Sequence, residues 1–328
     1  MLPMVRGLQQ AWPETKITWV IGQLEHQLLG DIPGIEFIPI AKKPLHRVRR
    51  QLAQTLSQSS FDVLLLMQVA LRAGWLSKVI KAPVRLGFDR ERSRDGHGLF
   101  INARISARPQ AHVLEGFLDF LTALGIDQHP LIWDIPIPEA DQQFAQQHIR
   151  DDTPTLIISP CSSQRLRNFR NWPASAYAEV ARYAQEQRGL QVILTGGATA
   201  LEHEYGTQIT RQAGVPITNL IGQTSLKQLL ALLSRAEALI SPDSGPVHMA
   251  TAVDTPVIGL YATSNPQRTG PYRHRDWVIN AYPQALAKAT GKRVDQVPWG
   301  QRVRDPQAMS IISVADVIQR LNRLGTTT

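Results

Sequence analysis

The sequence predicts an α/β protein built on parallel sheets and divided into two domains. Three observations predict it. Short apolar runs alternate along the whole chain with segments whose apolar residues recur at helical spacing, and such alternation builds βαβ units. At 328 residues the chain is too long for one ordinary core. The run Ala238–Ala252 reads as a strand, a tight Asp-Ser-Gly turn and a helix of small residues, followed by the β-rich stretch Thr255–Tyr261.

In the first half, the spacing predicts helices over Leu2–Ala11, His46–Leu56, Leu71–Ile80 and Ala111–Leu124. The last of these places Val113, Leu114, Phe117, Leu118, Leu121 and Leu124 on one face. Strands are predicted over Ile17–Ile21, Ile35–Ile40, Val63–Met67 and Val84–Phe88. After Gly125, the Pro-rich stretch Pro130–Pro138 is the expected interdomain connection, and the Gln-rich segment Glu139–Ile149 reads as a solvated surface helix. The second half repeats the alternation. Its strands are expected over Thr155–Ser159, Gln191–Thr195, Ala238–Ser241 and Pro256–Leu260. Its helices are expected over Ala174–Glu186, Leu201–Gln212, Leu226–Ser234, Gly245–Ala252 and Val314–Leu324. No short-period repeat is present, which excludes a solenoid.

Composition narrows the function classes. Hydrophobic residues at 43% and charged residues at 19% suit a folded chain rather than a disordered one. The net charge of +8 favours anionic partners such as a diphosphate, a phosphorylated glycolipid or an anionic membrane face. No nucleic-acid-binding module accompanies the charge, so no nucleic-acid partner is expected. The single cysteine, Cys161, excludes an intramolecular disulfide and suits a reducing compartment; no base partner is evident that would make it a nucleophile. No run of 18 apolar residues predicts a spanning helix, and the first residues lack the pattern of a signal peptide. Any membrane contact is therefore expected to be peripheral.

The chemistry concentrates on one predicted rim. A strand feeding a Gly turn into a helix directs backbone N–H groups and the positive end of the helix dipole at one point, which makes an anion site. Asp243 or Ser244 is the expected N-cap, and Gly245 lets a ligand approach the backbone. The alternative is a plain cap inside a βαβ unit. Ligands of open α/β sheets bind beyond the carboxyl ends of the strands, which puts Ser159–Ser163, Thr195–Gly197 and Asp243–Gly245 on that rim. Ser162 and Ser163 offer hydroxyls there, or serve ordinary turn chemistry.

Asp243-Ser244-Gly245-Pro246-Val247-His248-Met249-Ala250, followed by Thr255-Pro256-Val257-Ile258-Gly259-Leu260-Tyr261, resembles the signature of the lipopolysaccharide heptosyltransferases of glycosyltransferase family 9. Arg170-Asn171-Trp172-Pro173, Leu194-Thr195-Gly196-Gly197 with Glu202, Leu220–Leu226, and Arg85–Leu124 with Gly87-Phe88-Asp89, Arg94, Asp95 and His112 are similar to other elements of that family. The resemblance implies a GT-B fold, two Rossmann-like doubly wound domains facing a cleft. It divides the chain into an acceptor-side domain (1–135), a donor domain (136–310) and a C-terminal helix (311–328) packing back on the first domain. It implies inverting, metal-independent transfer of a heptose from a nucleotide diphosphate sugar, ADP-heptose, to anionic lipid A or inner-core lipopolysaccharide. The work would be done in the cytoplasm, peripherally on the inner face of the cytoplasmic membrane.

The implied donor-binding residues are Ser162, Ser163, Arg170, Gly196, Gly197, Glu202, Asp243, Ser244, Gly245, Pro246 and His248. Glu202 would accept from the ribose hydroxyls, and Arg170 and His248 would meet the diphosphate or sugar. Arg165 and Arg167 share the loop with Arg170 and read individually as surface residues. Arg94, Asp95 and His112 are the implied acceptor-side residues. The clusters Lys42–Arg50 and Arg90–Arg94 suit an anionic acceptor or bilayer, or form a solvated basic face. The chain contains no Asp-x-Asp pair, so fixed cations and helix N-termini are expected to replace a metal, and no cofactor is expected.

Two departures from the family pattern stand out. Arg170 occupies a place where the family more often has Lys, and Arg pairs with phosphate in a different, bidentate geometry. The family's opening strand and Gly-Asp turn, whose Asp is the presumed general base, have no counterpart ahead of the helix at Leu2–Ala11. The catalytic base is therefore expected upstream of Met1, since Asp31 follows the wrong strand, and the chain is expected to bind donor better than it transfers. A sheet lacking that strand is expected to leave backbone groups unpaired at its middle. A nucleotide-sugar epimerase of the same fold and a catalytically impaired nucleotide-sugar-binding protein are the alternative readings.

Overall fold

The computed structural model describes residues 1–163 and 169–324. The chain forms two compact units, Met1–Trp133 and Asp134–Thr328, so the boundary falls within the predicted Pro-rich connection.

The first unit comprises α1 (Leu2–Ala11), β1 (Ile17–Gly22), α2 (Gln23–Leu29), β2 (Ile35–Ile40), α3 (Leu45–Thr55), β3 (Val63–Leu66), α4 (Leu71–Ser77), β4 (Val84–Gly87), β5 (Ala103–Arg104) and α5 (Val113–Ala123). All its strand pairs are parallel, but they form two sheets. β1 pairs with β2 from Ile17↔Ile35 to Gly22↔Ile40. β3, β4 and β5 form the other sheet, with Val63 opposite Val84 and Leu86 opposite Ala103. Among the described residues no ladder joins β1 to β3.

The two sheets nevertheless share a core on one face, while β1 and β2 join a second core on the other. On one face, Ile17 and Trp19 of β1 and Leu65 of β3 pack with Met4 and Val5 of α1 and with Phe120 and Leu121 of α5. On the other, Val20 of β1 and Ile38 of β2 join Phe61, Val48 and Leu52 of α3, and Leu76 of α4. Helix α2 had no sequence signal because none of its residues is buried, so it carries no apolar stripe.

The second unit comprises α6 (Glu139–His148), β6 (Thr155–Ile158), α7 (Ala174–Arg188), β7 (Gln191–Leu194), α8 (Ala200–Ala213), β8 (Thr218–Asn219), α9 (Leu226–Ser234), β9 (Ala238–Pro242), α10 (Gly245–Ala252), β10 (Val257–Tyr261), α11 (Pro266–Thr269), β11 (Ile279–Asn280), α12 (Tyr282–Thr290) and α13 (Val314–Leu321). Its single six-stranded sheet has the order β11-β10-β9-β6-β7-β8, every pair parallel. Read from the other edge, this is the doubly wound order in which the chain reverses direction between its first and fourth strands, here β6 and β9. β6, β7, β9 and β10 are buried along their whole length, as parallel strands covered on both faces should be. The edge strands β8 and β11 span two residues each, which limits the unpaired edge.

One expectation is corrected here. Helix α6 is not merely a solvated helix: Ala145 is fully buried and the helix docks on α9, while Gln191 Nε2 donates to the His148 carbonyl at 2.6 Å. The C-terminal segment, described as far as Leu324, joins the second unit's core. Val317, Leu321 and Leu324 are buried among α7 and β10 residues, and Arg188 of α7 donates to the Leu321 and Leu324 carbonyls.

Candidate functional site

At the reversal point of the second unit, the chain leaving β6 runs beside the turn leaving β9. Ser159 continues the β6 ladder, donating its N–H to the Ile240 carbonyl at 3.0 Å. Three small hydroxyl side chains tie the strand ends together. Ser159 Oγ lies 2.6 Å from Thr195 Oγ1, and Ser241 Oγ donates to the Ser159 carbonyl at 2.9 Å while meeting Ser244 Oγ at 2.8 Å. Short side chains are needed here because three strand ends converge.

Ser244 takes the N-cap position of α10, but no side chain caps that helix. Of the two residues expected at the N-cap, Ser244 holds the position, but its hydroxyl turns to Ser241 and the Asp243 carboxylate is engaged elsewhere. Gly245 is exposed, with no atom within 4 Å of where a Cβ would stand. Pro246, in the first turn, has no N–H to leave unpaired. His248 lies exposed on the next positions of the same helix. The helix terminus therefore presents backbone N–H groups toward open space, the arrangement an anion requires.

Arg170 is brought to this terminus from 73 residues away. Its Nη1 donates to the Asp243 carbonyl at 2.7 Å and to Asp243 Oδ2 at 3.1 Å, with only 11% of its side chain exposed. Ser264, beyond the end of β10, donates its hydroxyl to the same Oδ2 at 2.8 Å. Asp243 is thus a bracket: its carboxylate fixes the cation beside the helix terminus. Its charge, after burial itself, also pushes the nearby Tyr261 hydroxyl well above its ordinary value. A buried ion pair of this kind positions charge more than it stabilises the fold.

Ser162 is buried, and Asn171 Oδ1 accepts both its N–H at 2.9 Å and its hydroxyl at 3.2 Å. Ser163 is exposed beside it. Trp172, next to Asn171, is a core anchor: its Nε1 donates to the Ile312 carbonyl at 3.0 Å and its ring meets Tyr177 edge-on. Arg165 and Arg167 lie outside the described residues.

On the β7 side, Gly196 and Gly197 form the turn into α8. Glu202 closes it, Oε1 accepting from the Gly197 N–H at 2.7 Å and Oε2 from Thr199 Oγ1 at 2.6 Å, with Thr199 capping α8. Cys161 is buried; burial first, and then the Glu202 charge, pushes its thiol up to about 12. It stays protonated at neutral pH, which removes it as a nucleophile.

The donor-side residues from the sequence thus gather at one rim of one unit. Asn171, Ser264 and Thr199 were missed. For Ser264 one signal existed: it follows a parallel strand's carboxyl end, where rim residues belong.

The acceptor-side residues lie in the first unit. Arg94 and Asp95 are exposed on the loop after β4, with Asp95 at a positive φ of 50°. His112 is buried and serves structure: its Nδ1 accepts from the Leu114 N–H at 3.1 Å, capping α5, while Glu115 accepts from the His112 N–H. The nearby carboxylates are held by cations. Arg92 bonds Asp89 and also Asp119 at 2.9 Å, and Arg108 reaches Asp119 at 3.0 Å.

The second unit thus places an uncapped helix terminus and a bracketed arginine at the reversal point of a doubly wound sheet. The profile of glycosyltransferase family 9 (heptosyltransferase) matches residues 49–297, and the chain belongs to this family. It is 40% identical over 324 residues, 99% of this chain and 92% of the other, to the lipopolysaccharide core heptosyltransferase OpsX of Haemophilus influenzae. Among solved structures, it is similar to a family 9 glycosyl transferase from Veillonella parvula, with a TM-score of 0.79 at 23% identity, covering 99% of this chain and 92% of that one. It is similar also to the heptosyltransferase WaaC of E. coli with ADP, with a TM-score of 0.75 at 20% identity, covering 99% and 95%. The fold is GT-B and the protein is a glycosyltransferase; the epimerase and non-enzymatic readings give way.

Proposed function

We propose that this enzyme transfers a heptose from ADP-heptose to the inner core of lipopolysaccharide, with inversion and without a metal, at the inner face of the cytoplasmic membrane. The single observation that carries the donor half is Arg170 bracketed by Asp243 beside the uncapped terminus of α10. As the sugar leaves, negative charge grows on the diphosphate. A fixed guanidinium and preorganised N–H groups meet that charge without reorganising. Glu202 retains lone pairs beyond those used by Gly197 and Thr199, which suits it to accept from ribose hydroxyls. Inversion follows from direct displacement by an acceptor oxygen. The names of the relatives support the heptosyl donor and the lipopolysaccharide acceptor.

Titration calorimetry with ADP tests the donor site. Arg170→Ala should weaken binding by about 1.5–3 kcal/mol, the range of a charge-assisted hydrogen bond, and His248→Ala should weaken it less. Binding should persist in chelator. Unchanged affinity in both variants removes the assignment, and affinity lost in chelator removes metal independence. The acceptor half is tested by heptosyl transfer to inner-core lipid, read by mass spectrometry.

A further inference from the structure

We infer that a half-exposed apolar ridge on the first unit docks the enzyme on an anionic bilayer; this deepens the proposed function by naming the surface that meets the membrane. The ridge is built by α4 and the 3-10 turn His97–Leu99. Leu71 and Trp75, one turn apart on α4, are 48% and 46% exposed, and Leu99 at the tip of the neighbouring turn is 76% exposed. The ridge is rigid. Phe100, buried beneath Leu99, holds the Trp75 ring edge-on at 5.8 Å, and Gly74 lets α4 seat on it: a Cβ there would stand 2.4 Å from the Phe100 ring. Exposed leucines beside a tryptophan are costly in water, and they are the side chains that partition to a membrane interface.

The surround is basic. Lys78 reaches over the Phe100 ring at 5.5 Å. Arg72 donates to the Lys43 carbonyl at 3.0 Å and so ties the exposed Lys42-Lys43 turn to α4. Arg90 and Arg94, ahead of the 3-10 turn, are exposed, as are the acids Glu91 and Asp95 of the same loop, so the cations of the surround, with Lys42, Lys43, Arg72 and Lys78, outnumber the acids. An apolar tip ringed by cations matches an anionic lipid surface, where each basic residue near the headgroups raises binding roughly fivefold. A protein partner would match the apolar tip without requiring this excess of one sign. Among the described residues no helix is long and apolar enough to cross a membrane, so such a ridge would act at the surface.

The test is co-sedimentation of the full chain with vesicles of phosphatidylcholine alone or with 30% phosphatidylglycerol, about that fraction being typical of an anionic leaflet. Binding should require the anionic lipid and fall as salt rises. Trp75→Ser with Leu99→Ser should lower partitioning tenfold or more, and Lys42→Glu with Lys43→Glu should lower it similarly. Trp75→Phe should retain it, and all variants should keep the thermal midpoint and the ADP affinity. Because Cys161 is buried and its thiol is raised to about 12, a polarity-sensitive dye will label Leu99→Cys selectively; its emission should shift to the blue on vesicle binding. Equal binding to neutral vesicles, unchanged binding in both double variants, or loss of a dimer rather than of vesicle binding in sedimentation would each overturn the proposal. Loss of ADP binding in the unmodified chain would sink the proposed function while leaving this surface standing.

Discussion

The two units use the same parallel βαβ grammar, yet they hold their strands in different ways. In the second, β6 is paired on both sides and its four residues are buried throughout. In the first, among the described residues, β1 pairs only with β2 and β3 only with β4, and most of their residues are half-buried. Two sheets have four edges where one has two. The second unit ties its strand ends with serine and threonine hydroxyls, as at Ser159, Thr195 and Ser241. The first is braced by long cations reaching backbone carbonyls. Arg85 alone reaches Phe100 at 2.8 Å, Ile80 at 3.0 Å and Ser77 at 2.9 Å. A continuous ladder leaves its strand ends rigid enough for a binding rim. A divided one leans on side chains such as Arg85, which ties β4 to the elements around it.

The largest expected consequence is in local stability. Amides of β1 and β3 should exchange about a thousandfold faster than those of β6 and β9, a gap of about 4 kcal/mol in opening free energy. Hydrogen-exchange mass spectrometry of the native enzyme reads this directly, and equal protection in the two units would break the comparison. Next in size is Arg85→Met, which removes a half-buried cation from three carbonyls and should destabilise the first unit by about 3 kcal/mol. The loss should appear in urea unfolding of that unit while ADP affinity, seated in the other, stays unchanged.

The contrast did not limit what the sequence disclosed about the longer strands. Those of both units were bounded to about a residue because apolar runs end abruptly at turn residues; Ile35–Ile40 and Thr155–Ile158 are examples. Two-residue strands such as β5 and β11 are too short to show any period. The helix terminus at Gly245 and the cation at Arg170 were legible from motif and charge. Their arrangement was not, because Asp243 meets Arg170 only when β6 and β9 lie side by side, and meets Ser264 only when β10 is added. His112 showed a second limit: its place in a motif suggested the acceptor, but nothing in the sequence showed that its Nδ1 caps a helix.

A smaller effect sharpens the view of the rim as a braced assembly. Ser264→Ala removes one of the two side chains that bond Asp243 Oδ2, and Asp243 then holds Arg170 less firmly. ADP affinity should fall about fivefold, near 1 kcal/mol, with no change in thermal midpoint beyond that of a single hydrogen bond. A change equal to that of Arg170→Ala would mean that Ser264 touches the ligand itself, not the bracket.

The smallest expected effect is a pH dependence built into the first unit. His97 is buried after β4, and its Nε2 accepts from the Phe88 N–H at 3.2 Å, a bond that only the unprotonated nitrogen can make. Burial first, and then the nearby Arg104 charge, hold its pKa below the ordinary 6.5. Between the two values the unfolded chain binds a proton that the folded chain refuses. Stability is therefore full above pH 6.5 and declines as the pH falls through that value toward the folded pKa. Asp89 titrates in a separate window. Burial raises its pKa, but the hydrogen bonds and charge of Arg92 outweigh this and leave it below 3.8, so its contribution is lost only in stronger acid. His97→Gln keeps a polar side chain near Phe88 without the titration. Urea midpoints measured from pH 7.5 down to about 5 should decline more steeply in the unmodified enzyme than in this variant, since only the former couples folding to this proton. Parallel curves would show that the ring is protonated in place, and that the Phe88 bond contributes nothing to the stability of the first unit.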